Sequence, residues 1–138
     1  IILVVYVGRL VREKGIEKLI DAVKIVNQNK KRIMLLVAGD GELLAKLKNQ
    51  KPENVLFLGS ISHEKVLSLL TESDIYCLPT EYPEGLPTSV LEAGACRSFI
   101  ITSARGGSKE LIADQDKGII LDDISRESLS RALLKAID

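Results

Sequence analysis

Residues 1–7, IILVVYV, form an unbroken apolar and aromatic run rich in β-branched side chains. Similar runs recur at 33–39 (IMLLVAG), 54–59 (NVLFLG), 75–79 (IYCLP), 99–102 (FIIT) and 118–121 (GIIL). Most lack the apolar/polar alternation of a sheet with one wet face, so they predict strands covered on both faces. Between them lie segments of helical period. Ile16, Leu19, Ile20, Val23 and Val26 fall on one helix face. Further helices are expected at 42–49, after Ser62 as N-cap, at 88–96, from Ser108, and at 125–137. Buried strands alternating with helices require right-handed crossovers and a parallel sheet. The expected fold is α/β: a doubly wound, Rossmann-like parallel sheet of about six strands with helices on both faces, in the order 3-2-1-4-5-6 by analogy with the commonest such fold.

Composition narrows the function classes. A length of 138 residues suits one domain, and no repeat or linker interrupts it. Nineteen basic residues balance nineteen acidic ones, which argues against a nucleic-acid partner, because phosphate-backbone binding needs a basic surface. No apolar run approaches the roughly 20 residues of a membrane helix. Cys77 and Cys96 lack metal-ligand spacing and read as small apolar residues of a reduced compartment. The chain opens inside a strand, without methionine or a charged leader. The expectation is a domain cut from a longer protein.

In such sheets ligands bind beyond the carboxyl ends of the strands, near the switch in strand order. That selects the loops 8–15, 39–41, 59–62, 80–87 and 103–110. Arg9 and Lys14 flank a tight loop after Gly8. They suit an anionic ligand, a guanidinium binding two oxygens and an ammonium acting as a point charge; the alternative is a solvated basic loop, the reading given to Arg12. EGLPTS crosses from loop to helix with Pro87 near the first helical position. The backbone N–H groups of Gly85, Leu86, Thr88 and Ser89 are candidates to face an anion; the alternative is an ordinary capped helix. Glu92 sits among Val90, Leu91, Ala93 and Ala95. A carboxylate placed there needs donors. A ligand diol would supply them, and so would a protein partner.

Other motifs fail. GGSK at 106–109 lacks the glycine spacing of a P-loop, and GDGELL has Leu44 where a dinucleotide fingerprint wants a small residue. His63, the only histidine, has no cysteine or histidine nearby, which disfavours a metal site.

Taken in order, VGRLVREKG, LLVAGDGELLAKL, VLFLGSISHEKVLSLLTESDIYCLP, EGLPTSVLEAGA and GGSKELI resemble the C-terminal, donor-binding domain of retaining GT-B glycosyltransferases, the glycosyl transferases group 1 family. The likeness covers nearly the whole chain. Its most specific element is Glu84 followed, after seven residues, by Glu92. The resemblance implies a nucleotide-diphospho-sugar donor, with Arg9 and Lys14 at its diphosphate. It places Leu86, Thr88 and Ser89 at that phosphate through their backbone, with Gly8 and Gly85 in the same substrate-binding set. Glu92 would take the ribose hydroxyls, Glu84 would orient the donor sugar, and Ser60 and Ile61 would touch the base.

The resemblance implies no cofactor and no bound metal. It also implies a separate N-terminal acceptor domain, absent from this chain, so the chain alone is expected to be inactive. A cytoplasmic location follows, with the membrane face reached through that other domain. Cys96-Arg97-Ser98-Phe99 departs from the family's small residue and proline. Two other readings are a GT-B nucleotide-sugar epimerase, or phosphorylase-like protein, and a non-catalytic nucleotide-binding or partner-docking module.

Overall fold

The computed structural model describes residues 1–29, 32–81, 88–103 and 117–138, with 88–91 in backbone only. Among the described residues there are six strands and five α-helices, in the order β1 (Ile2–Val7), α1 (Ile16–Gln28), β2 (Ile33–Ala38), α2 (Leu44–Asn49), β3 (Val55–Gly59), α3 (His63–Glu72), β4 (Ile75–Leu78), α4 (Thr88–Ala95), β5 (Phe99–Ser103), β6 (Gly118–Leu121) and α5 (Arg126–Ile137). The expected helix from Ser108 lies outside the described residues.

The strands make one parallel sheet in the order β3-β2-β1-β4-β5-β6, the order expected by analogy. β1 pairs with β2 from Ile2↔Ile33 to Val7↔Ala38, and with β4 through Val4↔Ile75 and Val5↔Tyr76. The strand order therefore switches beside β1. The carboxyl ends of β1, β2 and β3 finish together at Val7, Ala38 and Gly59.

Burial follows the sequence pattern. Val4, Val5 and Tyr6 of β1 and all of β4 are inaccessible or nearly so. On α1 the residues Ile16, Leu19, Val23 and Val26 are buried, the face that the 3.6-residue period selects. That helix lies against α5. Ser62 caps α3 by accepting the N–H of Lys65. Ser125 caps α5 within a reciprocal box with Ser128, so α5 begins one residue later than expected.

Two expectations need correcting. β3 is not covered on both faces: it is an edge strand, flanked by a helix of only six residues, and Leu56 is 53% exposed. α2 begins at Leu44 rather than at residue 42. The N–H of Leu43 is drawn to the Leu10 carbonyl (3.0 Å), and that of Leu44 to Gly41 (3.2 Å), so a turn precedes the helix.

Candidate functional site

The loop after β1 is tied to its neighbours by backbone hydrogen bonds at the strand ends. Gly8 N–H donates to Ala38 (3.0 Å), Leu10 N–H to Asp40 (2.9 Å), and Gly39 N–H to Gly59 (2.8 Å). No side chain fits at Gly39, where a Cβ would lie 1.8 Å from the Gly8 carbonyl oxygen. Below the loop, Tyr6 is fully buried and its hydroxyl donates to the Arg9 carbonyl at 2.6 Å. Burial, then the neighbouring Tyr76, pushes the Tyr6 pKa far up, so this hydroxyl keeps its proton and remains a donor. The Arg9 backbone thus rests on the core while its side chain is exposed.

Arg12–Lys14 form one turn of 3-10 helix closed by Gly15. Lys14 is partly buried, and its pKa lies below the ordinary lysine value, first because of that burial and second because of the Arg9 guanidinium. The two cations are therefore close enough to oppose one another.

The same loop is joined to the exit of β4. Gly15 abuts Pro79, and a Cβ there would stand 2.3 Å from the Pro79 carbonyl oxygen. Glu81 N–H donates to the Glu13 carbonyl at 2.7 Å. Lys18, on α1, donates to Glu81 Oε1 and to the Ile124 carbonyl, both at 3.0 Å. From β5, Ser103 donates to the Thr80 carbonyl at 2.6 Å and Thr102 to the Leu78 carbonyl at 2.8 Å. Residues 78–81, the stem of the segment that runs on to Glu84, are fixed from three sides. Sequence reasoning did not single out Lys18, although its place one turn beyond Lys14 is a signal that could have done so.

Glu84, Gly85 and Leu86 lie outside the described residues. Thr88 and Ser89 fall in the first turn of α4, where N–H groups lack intrahelical acceptors. Glu92, one turn further, is 17% exposed. It has a protein neighbour: its Oε1 lies 3.6 Å from Nδ1 of His63, longer than a hydrogen bond, and His63 is 69% exposed at the start of α3. Ser60 is exposed in the loop between β3 and α3, while Ile61 packs against the core. Gly8 N–H is occupied by the Ala38 carbonyl, so Gly8 offers a ligand only a surface without a side chain.

Arg9, Lys14, Thr88, Ser89 and Glu92 thus belong to segments that follow β1 and β4, on either side of the strand-order switch, while Ser60 follows the edge strand β3. A cavity of about 550 Å³ lies elsewhere, at the amino ends of β2 and β3, lined in part by Asp21, Lys24, Asn27 and Asn54. Among the described residues no cluster of three or more His, Cys, Asp or Glu could hold a metal ion. Cys77 is buried, which raises its thiol pKa and keeps it protonated.

A family model described as Glycosyl transferases group 1 matches residues 2–138. An uncharacterised glycosyltransferase of Methanocaldococcus jannaschii is 36% identical over 96% of the chain, which spans 35% of that relative. The GDP-mannose-dependent monoacylated alpha-(1-6)-phosphatidylinositol monomannoside mannosyltransferase of Corynebacterium glutamicum is 30% identical over 95% of the chain and 36% of its own length. The chain thus covers about a third of these relatives. Among solved structures, Anabaena HepE in complex with UDP-glucose superposes with a TM-score of 0.83 at 25% identity, over 99% of this chain and 39% of that one.

Proposed function

The chain belongs to the glycosyl transferases group 1 family, and on that premise we propose that it is the donor-binding part of a retaining, metal-independent hexosyltransferase. The donor is a nucleotide-diphospho-sugar, and the acceptor a glycan or glycolipid. The observation that carries this reading is the placing of Arg9 and Lys14 together on the loop at the strand-order switch. Two neighbouring cations at a strand end are what a diphosphate needs.

When the bond from the anomeric carbon to the diphosphate oxygen breaks, negative charge grows on the diphosphate. Cations fixed in place stabilise that charge without reorganising. Arg9, anchored through Tyr6, and Lys14, anchored through Gly15 and Glu13, are suited to this task. The N–H groups of Thr88 and Ser89 add dipolar stabilisation at the start of α4. Glu92 accepts the ribose hydroxyls, Glu84 orients the sugar, and the loop of Ser60 and Ile61 borders the base. The transferase reaction proceeds in a longer cytoplasmic protein that supplies the acceptor domain. Through that domain it reaches the membrane face, and the chain alone binds donor without transfer.

A ligand-observed NMR panel of UDP, GDP, UDP-glucose and GDP-mannose tests the reading. It predicts saturable binding of one base series, lost with Lys14→Ala. The named relatives support both bases, since one structure holds UDP-glucose and one enzyme depends on GDP-mannose. Absence of binding by all four would refute it.

A further inference from the structure

His63 stands outside the residues assigned so far, yet it contacts one of them. It is the first residue of α3, and Glu92 lies on α4. The two helices pack side by side. Further along them, Thr71 donates to the Cys96 sulfur at 3.7 Å, so α3 and α4 run in the same direction from the ligand-facing edge of the sheet. The His63–Glu92 contact therefore closes the gap between the helices at the end nearest the loop of Ser60 and Ile61. The capped start of α3 fixes the backbone that carries the imidazole, since Ser62 accepts the Lys65 N–H.

An ionised carboxylate offers about four lone-pair sites on its two oxygens. The 3.6 Å contact places Nδ1 beside Oε1. At that distance, longer than a hydrogen bond, the ring borders one oxygen and leaves the carboxylate capacity for two further donors. Vicinal hydroxyls of a pentose are two donors at matching separation. Building on the donor-site reading above, we propose that His63 is a positioning residue for Glu92 and that the pair makes the site selective for a ribonucleotide over its 2′-deoxy counterpart. Preorganising the acceptor before the ligand arrives lowers the ordering cost of binding. The gain appears only when both hydroxyls are present. Because the ring is largely exposed and the contact is longer than a hydrogen bond, the contribution is that of an exposed polar contact, up to about fivefold in affinity.

The test measures dissociation constants of the chain for the preferred nucleoside diphosphate and for its 2′-deoxy form, in the unaltered protein, His63→Ala and His63→Asn. The expected result is a ribo preference that falls about fivefold in His63→Ala, through weaker ribonucleotide binding, with the 2′-deoxy affinity unchanged. His63→Asn, whose side-chain amide can donate near the place of Nδ1, keeps the preference. An unchanged ratio in His63→Ala overturns the proposal. So does an equal loss of both ligands, which would mark a structural role. Glu92→Ala separates this failure from that of the donor site: if it removes the ribo preference while His63→Ala does not, the site stands and the positioning role falls. If the unaltered protein binds neither ligand, both fall.

Discussion

Lys14 holds its charge less firmly than an ordinary lysine, because partial burial disfavours the ammonium and Arg9 adds repulsion. A diphosphate would reverse the second effect. The sign of the pH dependence follows. Below the Lys14 pKa the ammonium is present and the anion binds; as pH rises through that pKa the charge is lost and affinity falls. Since the pKa is lowered, the fall begins at a lower pH than for an unperturbed lysine. Affinity for a nucleoside diphosphate, measured from pH 7 upward, should decline in the unaltered protein, whereas Lys14→Arg should stay flat over the same range. A flat profile in both would remove Lys14 from the site. Glu92 carries a different lesson at this scale. Its sequence context demanded donors without naming them. His63 is 29 positions away in sequence, and nothing in its local pattern marks it as a neighbour of Glu92. Which of many polar side chains meets a carboxylate depends on how two crossover helices pack, and hydrophobic periodicity does not encode that.

Among the elements, the turn between the 3-10 segment and α1 joins the cation loop to the exit of β4. Gly15 is left-handed, with φ 76°, and lies against Pro79. Gly15→Ala meets both a backbone penalty and a collision with the Pro79 carbonyl. Together these should cost roughly 2–4 kcal/mol. Gly59 is also left-handed (φ 68°), but nothing lies within 4 Å of its Cβ position. Gly59→Ala should cost only the backbone penalty, about 1–2 kcal/mol. Urea unfolding of the two variants measures the difference. Equal losses would show that the Gly15–Pro79 approach does not matter. The long periodic elements were legible: α1 and α3 start where expected, and the strand runs fall within a residue of their limits. The 3-10 turn was not, because three residues are too few to set a period. The late start of α2 was not either, because a hydrogen bond to Leu10, a long-range contact, decides it.

For the molecule as a whole, the parallel sheet was readable because strands alternating with helices require right-handed crossovers, whereas the strand order rested on analogy with the commonest doubly wound fold. Exposure of β3 is legible only through the expected order, which puts it at the sheet edge. Its apolar run resembles that of an interior strand, and only its place at the sheet edge distinguishes it. The candidate site was legible by region: the rule of strand ends picked the loops in which Arg9, Lys14 and Ser60 stand. The anchoring beneath them was not, since Tyr6, Lys18, Thr102 and Ser103 read in sequence only as core or surface residues. The central claim is that these loops form one nucleotide-sugar site. Calorimetric titration of the chain with its preferred nucleoside diphosphate, repeated with Arg9→Ala, Lys14→Ala and Glu92→Ala, tests it most directly. Each lost charge-assisted contact should weaken binding roughly ten- to hundredfold, in proteins that remain folded by circular dichroism. Equal affinity across all four proteins would contradict the account.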